Sequence, residues 1–98
     1  MEKLAERQAE IFSVLGTAKR VRIIMLLDGN EMSVNEIAES IESSVQNTSQ
    51  HLRLMSGKNI LNTRREGQTI YYRIAETALG RHCQYILKES LAVLADDE

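Results

Sequence analysis

Apolar residues recur at helical spacing along most of this 98-residue chain, and alternate only between about residues 60 and 74. Leu4, Gln8, Ile11, Phe12 and Leu15 mark one face of an amphipathic helix over 4–15. Gly16 ends it and Thr17 caps the next. Residues 18–28 contain V-R-I-I-M-L-L, apolar nearly all round, which predicts a central buried helix stopped by Gly29. Ser33-Val34-Asn35-Glu36 has the S-x-x-E form in which each residue satisfies the other's helix-end groups. Val34, Ile37, Ala38 and Ile41 then continue a short helix of about ten residues with Glu36, Glu39 and Glu42 outward. Carboxylates facing solvent on one helix carry no acid–base chemistry.

The next helix differs in kind. Ser44 is a good N-cap, and Thr48, Leu52 and Met55 form its apolar stripe. Opposite lie Gln46, Ser49, Gln50 and Arg53, with Asn47 at the edge. No carboxylate occurs from Ser44 to Arg65. Amide, hydroxyl and guanidinium groups are those that pair with base edges: Asn or Gln with adenine, Arg with guanine. An ordinary solvated helix face would mix Glu with Lys. Asn59 stands where this helix must stop, since Asn tolerates left-handed backbone.

Ile60 to Arg65 and Thr69 to Ile74 predict a hairpin joined by Glu66-Gly67-Gln68, with Gly67 supplying a positive φ. Ile70, Tyr72 and Ile74 alternate onto the face that packs. Arg64 and Arg65 precede the turn and Arg73 lies outward, placed to reach a phosphate or a minor groove. Two helices, 33–58, followed by a hairpin, 60–74, predict a mainly α winged helix-turn-helix with about five helices. Residues 1–98 are read as one such domain.

From Thr77 to Leu94 the pattern is helical again, and Asp96-Asp97-Glu98 is expected to be a frayed tail. The central elements already supply a core. An apolar helix at each end of the chain is therefore assigned to a partner. Leu4, Ile11 and Phe12 on the first helix, with Leu79, Cys83, Ile86, Leu87, Val93 and Leu94 on the last, predict a two-fold homodimer. Its two reading helices would meet successive major grooves about 34 Å apart on an inverted repeat.

Net charge is −2, which argues weakly against nucleic acid until it is resolved along the chain. Residues 44–74 hold Arg53, Lys58, Arg64, Arg65 and Arg73 against Glu66 alone, while both flanking regions are acidic. A local basic footprint is what phosphate binding needs. Lys19, Arg20 and Arg22 also cluster, and either touch phosphates or form an exposed helical turn. One cysteine excludes an intramolecular disulfide and fits a reducing cytoplasm. No signal-peptide pattern and no membrane-length apolar run occur.

H-L-R-L-M (51–55) and R-R-E-G-Q-T-I-Y-Y-R-I (64–74), with L-G-T-A-K-R-V-R-I-I (15–24), resemble the ArsR/SmtB family of bacterial and archaeal winged-helix repressors. The likeness runs from roughly Ile11 to Ile74, with Ala18 where proline is usual. It implies dimeric repressors that leave DNA when an effector binds, with first and last helices at the dimer interface. By position it implies Gln46, Asn47, Ser49, Gln50 and Arg53 at bases and nearby phosphates, and Arg64, Arg65 and Gln68 in the wing; Ser44, at the head of the same helix, is counted with the DNA-binding residues. The family's sensor sites are not matched. Ser33 and Asn35 stand where one group has thiolates. Gly80 and Val93 interrupt the last-helix D-x-H and H-x-x-E set. Cys83 has no second cysteine for an oxidant sensor.

Adjacent residues on a helix diverge by about 100°, so His82 and Cys83 are awkward ligands for one ion. Packing explains them better, and a metal or redox role stays as the alternative, including an intersubunit Cys83 disulfide near the two-fold axis. His51 either bonds a phosphate or braces the helix-turn-helix, the latter favoured. No histidine–nucleophile pair, phosphate loop or CxxC is present, so no enzyme is expected. The expected function is a cytoplasmic, homodimeric, double-stranded-DNA-binding repressor with no cofactor, no metal and an unidentified effector. A winged-helix docking module without DNA is the rival.

Overall fold

The computed structural model describes residues 1–97. Five helices and three short strands follow one another as α1 (Glu2–Val14), α2 (Ala18–Leu26), β1 (Met32–Ser33), α3 (Val34–Ser40), α4 (Val45–Gly57), β2 (Leu61–Glu66), β3 (Thr69–Ile74) and α5 (Ala78–Asp97). The sheet is antiparallel in the order β1-β3-β2. Its two-residue first strand pairs Met32 with Tyr72 and Ser33 with Tyr71. The hairpin register runs from Leu61 opposite Ile74 to Glu66 opposite Thr69, leaving a two-residue turn at Gly67-Gln68. Glu66 is thus the last strand residue rather than part of the loop, and Gly67 has the positive φ (63°) such a turn requires.

One core joins all the helices. Ile23, Ile24 and Leu27 from the α2 region meet Ile37 and Ile41 of the α3 region, Leu52 and Met55 of α4, and Leu61 and Tyr72 of the hairpin. Ile11 and Val14 close it from α1 and Cys83 from α5. The α3 stripe predicted from Val34, Ile37, Ala38 and Ile41 packs inward, but the helix has only seven residues. The Ser33–Glu36 capping box is present, with both reciprocal bonds at 2.9 and 3.2 Å. By contrast α2 is not buried all round. Met25 is 46% exposed, because it lies away from the side on which Ile23, Ile24 and Leu27 meet the core. Thr17 stands at the N-cap of α2 without a side-chain capping bond.

Both helices of the central pair end in the same way. At the end of α3, Ser43 N–H donates to Ala38 C=O and Glu42 N–H to Glu39 C=O, with Glu42 at φ 54°. At the end of α4, Ile60 N–H donates to Met55 C=O and Asn59 N–H to Ser56 C=O, with Asn59 at φ 63°. Each is a Schellman stop, which needs one left-handed residue. Asn59 fills that place at little cost. Glu42 fills it against its steric preference, since a Cβ in this region opposes the following carbonyl.

The last helix is seated by its own first turn. The Thr77 hydroxyl donates to Asn59 C=O (2.7 Å) and accepts from Gly80 N–H (3.0 Å). Gly80 is buried against backbone: a Cβ there would overlap the Ala75 carbonyl oxygen and stand 3.2 Å from that of Ile60. The helix continues through Asp97, so the tail expected to fray from Asp96 is helical there; Glu98 lies outside the described residues. Gly80→Ala should therefore destabilise the chain by about 1–3 kcal/mol through overpacking, measured by thermal or denaturant unfolding. A variant as stable as the wild type would show that α5 is not fixed by this contact.

Candidate nucleic-acid interface

The α3–turn–α4 unit is positioned from behind by the first turns of α2. Lys19 Nζ donates to Ser43 Oγ and Asn47 Oδ1, each at 3.2 Å, and Ser43 Oγ donates to the same Asn47 oxygen at 3.0 Å. Arg22 donates through its two terminal nitrogens to the C=O groups of Ile41 and Ser40, both at 3.3 Å. Those carbonyls close α3, where a cation is favoured by the helix dipole. Arg20 Nε donates to His51 Nδ1 at 3.1 Å. The cluster Lys19, Arg20, Arg22 is therefore not a free turn: within the chain it braces the helix pair. The bracing role favoured for His51 is the one the structure gives it.

With one flank taken by this brace, α4 presents the other. Ser44 Oγ accepts from Asn47 N–H at 3.0 Å and so caps the helix. Thr48, Leu52 and Met55 are fully buried. Gln46, Gln50 and Arg53 are exposed and Ser49 is half-buried. None of the four has a side-chain hydrogen bond or ion pair among the described residues. Asn47 departs from expectation. Its amide oxygen is held by Lys19 and Ser43, so within the chain it braces the turn. Two apolar side chains on the open surface of α4 escaped sequence reasoning, Val45 (48% exposed) and Leu54 (37%). Nothing in a stripe argument singles them out.

The wing carries Arg65 and Gln68 exposed near its tip and Arg73 exposed on β3. Arg64 is engaged within the chain. It meets Glu31 at 2.7–3.2 Å, reaches Glu66 at 2.9 Å and lies 4.6 Å over the Tyr71 ring. The Arg64 bonds hold the Glu31 carboxyl below the usual carboxylate range, and the two carboxylates push the guanidinium further up. Lys58 pairs with Glu10 at 3.1 Å. Of the five cations in the 44–74 stretch, Arg53, Arg65 and Arg73 are left without an ion pair among the described residues.

The end helices divide the residues assigned to a dimer. Leu4 (61% exposed), Phe12 (59%), Val93 (58%) and Leu94 (62%) lie open, as do Tyr85 and Leu91, which were not anticipated. Leu79, Ile86 and Leu87 are half-buried against the chain's own core. Ile11 and Cys83 are corrections: both are buried within the chain, so neither has surface to offer a partner. The intersubunit Cys83 disulfide goes with them. Burial also pushes the Cys83 thiol up, away from the thiolate that redox or metal chemistry needs. His82 is half-buried at a cleft of about 570 Å³ between α1 and the start of α5, apart from any second ligand pair. Among the described residues no three of His, Cys, Asp and Glu gather as a metal set, and no helix is long and apolar enough to cross a membrane.

A helix with an open, carboxylate-free face, set beside a basic hairpin, defines a winged helix-turn-helix. Residues 17–63 match the family model described as bacterial regulatory protein, arsR family. The chain is 42% identical over 65 residues to the HTH-type transcriptional regulator KmtR of Mycobacterium tuberculosis, covering 66% of this chain and half of that protein's length. It is 32% identical over 77 residues to the transcriptional activator HlyU of Vibrio cholerae, covering 79% of this chain and 71% of HlyU. The solved HlyU structure superposes with a TM-score of 0.79 over 90% of this chain and 96% of that one, at 28% identity. A homodimeric winged helix-turn-helix DNA-binding domain from Mycobacterium bovis gives 0.76 at 27% identity, over 98% of this chain and 84% of that one. The chain belongs to the arsR family, whose members are DNA-binding transcriptional regulators and not enzymes.

The brace has a pH signature. Desolvation first, then the charges of Arg20 and Lys19, hold His51 below its ordinary 6.5. A depressed histidine contributes stability that is present above 6.5 and lost as the pH falls through the folded-state value. Unfolding midpoints followed downward from neutral pH should drop below 6.5 more in the wild type than in His51→Gln, whose amide oxygen can still accept from Arg20. Identical profiles would show that the bond carries no such linkage.

Proposed function

We propose that the chain acts as a cytoplasmic homodimeric transcriptional repressor that places α4 in the major groove and reads an inverted-repeat operator. The observation that carries this reading is the face of Gln46, Gln50 and Arg53: open to solvent, free of carboxylates, and unpaired among the described residues. Gln pairs bidentately with adenine and Arg with guanine, while Ser44 and Ser49 reach phosphate or base edges nearby. Arg65 and Gln68 extend the contact from the wing. The rival of a docking module without DNA is not favoured, because the relatives share a family of DNA-binding regulators.

The partner copy is proposed to cover Leu4 and Phe12 on α1 with Val93 and Leu94 on α5. The homodimeric Mycobacterium bovis neighbour supports a dimer as such. So does the exposure of these large apolar side chains at both ends of the chain, since apolar surface of this kind marks interfaces. No metal and no cofactor enter this reading, and the effector is unassigned.

A duplex recovered by the full chain from a random library should bind with an affinity that falls steeply with salt, by roughly 0.9 in the log–log slope for each phosphate contact. On it, Gln50→Ala or Arg53→Ala should cost about 1–3 kcal/mol and relax preference at one base pair per half-site. Equal weakening on all sequences would show that these side chains do not read bases, and recovery of no duplex at moderate salt would favour the docking module. Phe12→Glu with Leu94→Glu should sediment as a monomer. A variant that remains dimeric would place the interface elsewhere.

A further inference from the structure

The outer half of the wing has little core beneath it. Along β2 only Leu61 is buried, and every residue from Asn62 to Glu66 is exposed. A two-stranded hairpin is marginal by itself in water, and β1 widens the sheet by only two residues. What crosses this level of the sheet is Arg64. The register sets Arg64 opposite Tyr71, and Tyr71 opposite Ser33, so one row runs over β2, β3 and β1. The guanidinium lies over the central ring, 4.6 Å from its centroid. It then reaches the carboxylate of Glu31, two residues before Ser33, with Nη2 at 2.7 Å and Nε at 3.1 and 3.2 Å from its oxygens. Its third nitrogen, Nη1, meets Glu66 at 2.9 Å.

We infer that Glu31, Arg64 and Tyr71 form a strut across all three strands that sets the inclination of the wing, making Glu31 and Arg64 positioning residues for DNA contact and leaving the wing's phosphate contact to Arg65. The inference rests on the DNA-binding reading above. One face of the Arg64 guanidinium is covered by an aromatic ring, and carboxylates occupy all three nitrogens. The two carboxylates offset the guanidinium they hold, with Arg73 nearby as a second cation acting on Glu31, so Arg64 has little free charge to offer a phosphate. Bidentate geometry of this kind fixes direction as well as distance. Arg65, one residue on, projects to the opposite face of the hairpin, opposite Ile70 in the register, and is exposed without an ion pair among the described residues.

The test uses the full chain, the library-selected duplex and the variants Glu31→Ala, Arg64→Ala, their double, and Arg65→Ala. With a strut, Glu31→Ala and Arg64→Ala each weaken binding by roughly three- to tenfold, and the double is no worse than the more harmful single. Neither changes the slope of log affinity against log salt, whereas Arg65→Ala lowers it by roughly 0.9. A slope lowered by Arg64→Ala, or tighter binding in Glu31→Ala, would overturn the strut, because Arg64 would then be a phosphate contact masked by Glu31. A second arm needs no DNA. Amide hydrogen exchange over residues 62–71 should accelerate in both single variants while the helices keep their protection. Unchanged exchange in the hairpin overturns the strut even if no duplex is ever recovered, so failure of the DNA-binding reading and failure of the strut are separately visible.

Discussion

Three cations near the start of α2 hold the turn between α3 and α4. Lys19 joins Ser43 to Asn47, Arg22 completes the open carbonyls of Ile41 and Ser40, and Arg20 reaches His51 in the middle of α4. The turn itself is awkward: it passes through Glu42 in the left-handed region, where a side chain is unwelcome. Charge-assisted bonds to part-buried acceptors are stronger than neutral ones, and here they converge on the segment whose backbone is least at ease. The angle between the two helices, and hence the direction in which Gln46, Gln50 and Arg53 face, depends on this convergence. The same cations sit behind α4, where their field still favours an anionic polymer in front of it.

The positive charge of the 44–74 stretch is thus divided between two tasks. Arg64 and Lys58 are spent on internal pairs, with Glu31 and Glu66 and with Glu10, that fix the wing and tie α4's end to α1. Arg53, Arg65 and Arg73 remain open. Counting cations overstates the footprint, because the acidic flanking regions are not merely elsewhere: two of their carboxylates fold back onto the basic stretch. The face that remains is smaller than its formal charge and more directional.

Local periodicity made much of this legible. The Ser44 cap, the Thr48–Leu52–Met55 stripe, the Asn59 stop and the inward Ile70–Tyr72–Ile74 face all rest on residues within a few positions of one another. Long-range choices were not legible. A two-residue strand, Met32–Ser33, carries no alternation to detect, so neither the third strand nor the approach of Glu31 to Arg64 could be anticipated. For a polar edge residue such as Asn47, the bond its amide oxygen accepts from Lys19 of α2 was not legible either. A stripe also says that a face is covered, not by what. Ile11 and Cys83 share their stripes with Phe12 and Leu94, yet the first two close the chain's own core and the others stand outside it.

The central claim is that α4, braced from behind, presents one open face to a duplex and does so twice in a dimer. Hydroxyl-radical footprinting of the full chain on its selected duplex tests it most directly. The expected result is protection on one face of the DNA in two patches whose centres lie about 10–10.5 base pairs apart. A single patch, or uniform protection around the duplex, would contradict it.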